Sequence, residues 1–290
     1  MKEFEKIAIL GGGLLGGSMA MALQDRYETC LWARRAETAV EARKLGVATS
    51  TNDLGEALDR ADLVVLSVPV GAMAGLVEKA LEHGLKSPTL VTDVGSVKRI
   101  VHRTAGAMLG ERGIPFIGGH PMAGSEQKGI EASRKDLFSG AMCFLTDDDG
   151  AGDPFRAMLE RFWSGLDCRV CWTDAARHDE LVARVSHFPH LIAAAAAMVS
   201  LKDPTDARFG GGGLRDTTRV AGGDPDMWAE ILIENRAAVS GSLGEAMIVL
   251  KEIHAALDRG DERAVLDWLR KASELHRISR SVENPPVCPS

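Results

Sequence analysis

At 290 residues, with 45% hydrophobic and 26% charged residues, the chain has room for about two domains and enough apolar residues to give each a core. A formal net charge of −7 excludes a broadly basic surface, so no nucleic-acid partner is expected and any anionic ligand must be held by a local cluster of cations. Five cysteines is an odd count for a disulfide framework. The opening Met1-Lys2-Glu3-Phe4-Glu5-Lys6 is charged where a secretory signal turns apolar. The longest apolar stretch, 191–199, falls short of the ~20 residues that span a bilayer. The expectation is a cytoplasmic protein without a membrane partner.

Taken in chain order, residues 6–10, 28–33, 63–68, 89–94, 115–117, 141–145 and 168–172 read as strands. The early ones lack polar alternation, as strands of a parallel sheet buried on both faces do. Helix-length segments at 14–24, 72–83, 97–109 and 154–165 lie between them, which predicts a doubly wound α/β sheet of Rossmann type. The acidic, glycine-rich run 146–154 resembles a linker, but a helix and a strand follow it, so it reads as a surface loop. Beyond residue 173 long helical stretches dominate (178–200, 227–256 and 262–279). The predicted organisation is a dinucleotide-binding domain over 1–173 and an all-helical domain over 174–290, ending in an extended tail. Cys168 and Cys171 form one Cys-x-x-Cys pair with no second pair to complete a zinc site; they read as ordinary thiols on opposite faces of a strand, and no metal is expected.

Three clusters carry chemistry. Gly11-Gly12-Gly13-Leu14-Leu15-Gly16 fits G-x-G-x-x-G directly after the first strand. Gly11 permits a tight turn, Gly13 lets the backbone approach a pyrophosphate, and Gly16 lets helix pack on strand. With Leu14 and Leu15 opening the helix, its N-terminus offers N–H groups to an anion. At the end of the second strand, where an NAD site places an acid on the ribose, stand Trp32-Ala33-Arg34-Arg35. Arg34 and Arg35 suit a 2′-phosphate, so NADP is favoured over NAD. Asp93-Val94-Gly95-Ser96-Val97-Lys98 and Gly118-Gly119-His120-Pro121-Met122-Ala123-Gly124 follow two later strands, at the end of the sheet where ligands bind. Among glycines and proline, His120 is poorly placed for core packing, whereas Ser96 could be no more than a helix cap.

These motifs, with Ser-His-Phe-Pro-His at 186–190, Gly-Gly-Gly-Leu-Arg-Asp-Thr-Thr-Arg at 211–219 and Asp-Pro-Asp-Met-Trp at 224–228, resemble the prephenate/arogenate dehydrogenases of tyrosine biosynthesis over residues 5–280. The resemblance implies an oxidative decarboxylation: hydride leaves C4 of a cyclohexadienol for a nicotinamide, carbon dioxide leaves C1, and the ring becomes aromatic. It implies that His120 accepts a hydrogen bond from the substrate hydroxyl and that Ser96 orients both. Arg219 matches the substrate-binding arginine, where a guanidinium suits a carboxylate. Arg215 either adds charge or salt-bridges at the surface, and Trp228 either walls the pocket or packs in a core.

His190 matches a pocket-lining position and shares a helix face with His187, with Pro189 expected to kink that helix. Glu126 would either meet the ammonium of arogenate or neutralise Lys128 in a site for prephenate. A homodimer is implied by the resemblance alone. Two other readings stand beside this one. A hydroxyacid dehydrogenase of the 6-phosphogluconate dehydrogenase type would use a lysine in the helical domain, and a non-catalytic NADP-sensing protein would not need His120, Ser96 and Arg219 together.

Overall fold

The computed structural model describes residues 3–124 and 127–281. Five parallel strands come first: β1 (Lys6–Leu10), β2 (Glu28–Trp32), β3 (Ser50–Thr51), β4 (Leu63–Leu66) and β5 (Leu90–Asp93). β6 (Phe116–Pro121), β7 (Met142–Thr146) and β8 (Arg169–Thr173) complete one sheet in the order β3-β2-β1-β4-β5-β6-β7-β8. β1, β4 and β5 are buried at every residue, which explains their unbroken apolar character. Leu10 pairs with Trp32 on one side and Leu66 on the other, so the carboxyl ends of β1, β2 and β4 align where the strand order reverses.

Helices α1 (Leu14–Leu23), α2 (Ala36–Lys44), α3 (Leu54–Leu58) and α4 (Val70–Glu82) connect the early strands. α5 (Arg99–Val101) runs through a π-helical turn (His102–Gly106) into α6 (Ala107–Gly110), and α7 (Asp153–Ser164) joins β7 to β8. Two cores result. One packs Met19, Leu23, Phe138, Phe162 and Trp163 on one face of the sheet, and the other packs Met73, Leu76, Val77, Val101 and Leu109 on the opposite face.

The sheet is parallel except where β6 pairs antiparallel with β7. Residues 118–121 are strand rather than loop, and the glycines are there for proximity. A Cβ at Gly119 would lie 2.6 Å from the Asp93 carbonyl oxygen, and one at Gly118 would lie 2.4 Å from Thr146 Oγ1. The acidic 146–154 loop is tied down at each aspartate: Asp147 accepts from Ala151 N at 2.7 Å, Asp148 from Ala175 N at 3.0 Å, and Asp149 pairs with His102 Nδ1 at 2.6 Å. Cys168 is a buried free thiol as expected, but Cys171 is disulfide-bonded and so not the ordinary thiol anticipated.

Past Thr173 the described chain is helical: α8 (Ala175–Val182), a π-turn (Ala183–His187), α9 (Phe188–Ser200), α10 (Gly212–Thr218), α11 (Pro225–Glu234), α12 (Arg236–Asp258) and α13 (Glu262–Ser281). Short 3-10 turns occupy Pro204–Phe209 and Arg219–Gly222. Pro189 does not break the helix as a kink. It sits in the first turn of α9, where the preceding π-turn has already changed the hydrogen-bond register. Ala175–Ser200 thus runs on for 26 residues, and by length and composition alone it could cross a membrane, which the 191–199 stretch could not. The predicted helix 227–256 is two helices. Asn235, at φ −105° and ψ 22°, ends α11 and opens α12.

Candidate active site

The glycine turn between β1 and α1 is shaped for close approach. Gly11 has φ 139°, and a Cβ there would lie 2.0 Å from the Ser67 carbonyl oxygen, while one on Gly16 would lie 1.9 Å from the Gly11 oxygen. Gly13 meets nothing within 4 Å, so the open side of the turn lies over the start of α1, and Gly13 caps that helix with no side-chain hydrogen bond. Leu14 and Leu15 are half-buried and pack against the core behind the turn. A turn that is tight behind, open in front and backed by free helix N–H groups fits a dinucleotide pyrophosphate. Gly12 abuts the β2–α2 junction, with Ala33 Cβ 3.0 Å from where its Cβ would be. Arg34 and Arg35 are exposed at that junction, and Arg35 caps α2.

The end of β5 and the middle of β6 are locked together by a buried ion pair. The Asp93 carboxylate binds Lys98 Nζ, and both side chains are wholly buried. Asp93 also accepts from Gly95 N at 2.7 Å and Gly119 N at 3.0 Å, while Lys98 Nζ donates to the Gly119 carbonyl at 2.7 Å. Burial pulls the Lys98 ammonium down and the Asp93 charge pulls it back up. One pair therefore fixes the backbone on both sides of Ser96 and immediately before His120.

His120 is 7% exposed, so the expectation that it would not pack in a core is overturned. Its Nδ1 lies 2.9 Å from His178 Nε2, and His178 Nδ1 lies 2.8 Å from Asp179 Oδ1. Asp179 accepts as well from the backbone N–H groups of Lys98 at 2.7 Å and Arg99 at 3.0 Å, which are otherwise orphan donors at the start of α5. Burial, then the neighbouring His178, Lys98 and His187, hold His120 well below the usual histidine range. His120 is neutral at pH 7 and able to accept a proton. Ser96 is half-buried and, among the described residues, makes no hydrogen bond to His120 or to any other group. Nor does it cap a helix, since Lys98 occupies that place for α5.

The helical half supplies the opposite wall. His190 stacks on Trp228 with ring centroids 3.6 Å apart and planes within 9°, and Gly223 leaves room for the pair. His187, buried on the same stretch, is pushed by burial to about 4. Its Nδ1 meets Asn235 Nδ2 at 3.2 Å, and Asn235 also donates to the Asp179 carbonyl at 2.7 Å. His187 Nε2 and His190 Nδ1 are buried without partners among the described residues. Arg219 opens the 3-10 turn that packs against α9, and both it and Arg215, on α10, are exposed. Lys128 pairs with Asp224 at 3.0 Å. Glu126 lies outside the described residues. No cluster of three or more metal-ligating side chains occurs among the described residues.

Sequence reasoning missed His178, Asp179 and Asn235. The adjacent His-Asp pair at 178–179 was the available signal. Asn235, the break within an apparently continuous helix, left none.

A sheet of this order with a glycine turn at its switch point, joined to a helical domain across buried histidines, defines a nicotinamide-dinucleotide-dependent oxidoreductase. Two family models describe the chain in succession: "Prephenate dehydrogenase, nucleotide-binding domain" over 19–172 and "Prephenate dehydrogenase, dimerization domain" over 174–271. The cyclohexadienyl dehydrogenase of Zymomonas mobilis is 33% identical over 287 residues, covering 94% of this chain and 96% of the relative. The prephenate dehydrogenase of Lactococcus lactis is 30% identical over 285 residues, covering 94% and 78%. The Aquifex aeolicus prephenate dehydrogenase, solved with hydroxyphenyl propionate and NAD+, superposes with a TM-score of 0.84 at 29% identity, covering 95% and 98%. The chain belongs to the prephenate dehydrogenase family. It is an oxidoreductase of the prephenate/arogenate dehydrogenase type, and its reaction is NAD(P)-linked oxidative decarboxylation in tyrosine biosynthesis.

Proposed function

We propose that the chain converts prephenate, arogenate or both, with NADP favoured, by using His120 to take up the substrate's hydroxyl proton and Arg219 to grip a carboxylate. The observation that carries this reading is a buried, neutral His120 beside the carboxyl end of β5. Gly11, Gly13, Gly16 and the N-terminus of α1 would hold the cofactor, with Arg34 and Arg35 at its 2′-phosphate. When bound, its nicotinamide accepts the hydride.

His120 is held in place by strand β6 and by His178, so little reorganisation is needed as its acceptor nitrogen takes the proton. Ser96, whose hydroxyl is uncommitted, orients the same substrate oxygen. Trp228 and His190 form a flat apolar wall against the ring, and Arg215 adds positive charge near Arg219. Because the ring carboxylate leaves as neutral carbon dioxide, the arginine grip serves binding more than the chemical step. The hydroxyacid dehydrogenase reading is disfavoured, since Lys202, Lys251 and Lys271, the lysines beyond residue 173, are all exposed.

The division into domains at 173/174 belongs to the same reading, supported by β8 ending at Thr173 and by the helices and short turns that make up the described chain after it. So do a cytoplasmic location and a homodimer. Leu243, Met247, Leu250, Leu257, Leu266 and Leu269 on α12 and α13 are each 39–63% exposed, an apolar face suited to a second copy. Steady-state kinetics with prephenate and arogenate, each against NADP and NAD, tests the function. Turnover with higher kcat/KM for NADP is expected. No turnover of either substrate would overturn the activity, and a preference for NAD would overturn the cofactor assignment.

A further inference from the structure

Five buried residues, His120, His178, Asp179, Asn235 and His187, form one hydrogen-bonded chain between the two domains. The chain can be followed donor by donor. The Asp179 carboxylate only accepts: it takes the N–H groups of Lys98 and Arg99 and one bond from His178 Nδ1. Burial favours its protonation, but the bonds from His178, Lys98 and Arg99 outweigh that and hold its carboxyl below the usual carboxylate range. His178 must therefore carry its hydrogen on Nδ1. It is neutral, because burial lowers it further than Asp179 raises it, so its Nε2 is a bare acceptor. His120 Nδ1, 2.9 Å from that acceptor, must then be the donor. A neutral His120 has no second hydrogen, which leaves its Nε2 bare.

The other branch runs through the Asp179 backbone. Its carbonyl oxygen can only accept, so the Asn235 atom 2.7 Å away must be the amide nitrogen. The second hydrogen of that nitrogen is directed to His187 Nδ1, which accepts. Neutral His187 must then carry its hydrogen on Nε2, the buried atom without a partner among the described residues.

We propose that His178, Asp179 and Asn235 are positioning residues that fix opposite tautomers on two site histidines, so that His120 presents a bare Nε2 to the substrate hydroxyl and His187 presents an Nε2–H to a substrate oxygen. The assignment of His120 as acceptor rests on the function proposed above. The tautomers themselves do not. As His120 takes the proton, its Nδ1–H···Nε2 bond to His178 becomes charge-assisted, while Asp179 keeps His178 from rotating to offer a donor instead. The Nδ1–H form is the minor tautomer of a free histidine side chain, so its presence on both His120 and His178 would be a product of the fold. The groups that face His120 are His178 and Asp179 from α8, His187 from the π-turn, and Lys98 with its partner Asp93 from the β5 end.

Long-range 1H–15N spectra of the full-length protein with 15N-labelled histidine read the tautomers directly, with His120→Asn, His178→Gln and His187→Asn as assignment variants. Hydrogen on Nδ1 of His120 and His178 and on Nε2 of His187 is expected at pH 7; hydrogen on Nε2 of His120 would overturn the proposal. Asp179→Ala removes the acceptor that holds the His178 hydrogen on Nδ1. It should let the His178 and His120 hydrogens move to Nε2 and lower kcat by about 10²–10⁴-fold, the range over which general acid–base groups act. KM for both substrates should stay within about threefold.

Should Asp179→Ala fail to fold, His178 gives the same test. His178→Gln, whose amide oxygen still accepts from His120, should retain kcat to within about tenfold, whereas His178→Phe should lose roughly 10²-fold or more. Equal kcat in the two variants would overturn the proposal. Failure of the unmodified enzyme to turn over prephenate or arogenate would remove the function and leave the spectra standing. Wrong tautomers in an active enzyme would remove this inference alone.

Discussion

The two walls of the site are built in opposite ways. On the β6 side, Asp93, Lys98, His120, His178 and Asp179 are almost wholly inaccessible and are joined by hydrogen bonds that leave little freedom. On the helical side, Arg215 and Arg219 are exposed and Trp228 is only half-covered, and Arg34 and Arg35, at the β2–α2 junction, are exposed as well. The difference suits the role proposed for each group. A proton acceptor must stay neutral and hold one tautomer, which burial and a fixed partner both enforce. An arginine must remain charged and reach a ligand that arrives from water, and burying it in advance would incur a desolvation cost of several kcal/mol. Under the roles proposed here, proton handling is preorganised, whereas anion capture falls to exposed side chains.

The most severe way to break this contrast is His120→Asn. It should lower kcat by roughly 10²–10⁴-fold with cofactor affinity nearly unchanged, checked by kinetics and a cofactor titration. Near-normal kcat would remove His120 from the mechanism. In the unmodified enzyme the acid limb of kcat/KM should lie below the ordinary histidine pKa of about 6.5, because His120 is shifted down. The sign is fixed: His120 accepts while neutral, so activity is present above its lowered pKa and is lost as pH falls through it. A limb at or above 6.5 would contradict the buried environment.

A smaller effect is expected from the exposed wall. Arg219→Ala should lower kcat/KM by roughly 10–1000-fold, mostly through KM, and Arg219→Lys should restore little of it because an ammonium lacks the two-pronged geometry. A folded alanine variant within about threefold of the parent would end the carboxylate grip. The smallest change expected is in cofactor choice. Arg34→Glu should reduce or reverse the NADP preference by about 10-fold or more, the loss of a single charge-assisted bond, with kcat held. Equal use of both cofactors by the unmodified enzyme would show these arginines to be a solvated loop.

Much of the molecule is legible without coordinates, for reasons that are local. The glycine turn at 11–16, the buried apolar strands and the change to helices after 173 depend on residues within a turn or two of each other, whose conformational limits and periodicity are visible in order along the chain. His120, Arg219 and Trp228 were reached through motifs, which name residues but say nothing of their surroundings. The tertiary structure alone decided that 118–121 is strand, because the need for glycine there comes from Asp93 and Thr146 on neighbouring strands. It decided that Asn235 breaks a helix, because the amide's partners belong to another helix. And it decided that His120 is buried and partnered by His178, 58 residues away, with Asp179 bonded to Lys98 across 81. Desolvation and hydrogen-bond direction, which set the protonation of these groups, are properties of what surrounds an atom in space, and no local pattern of residues records them.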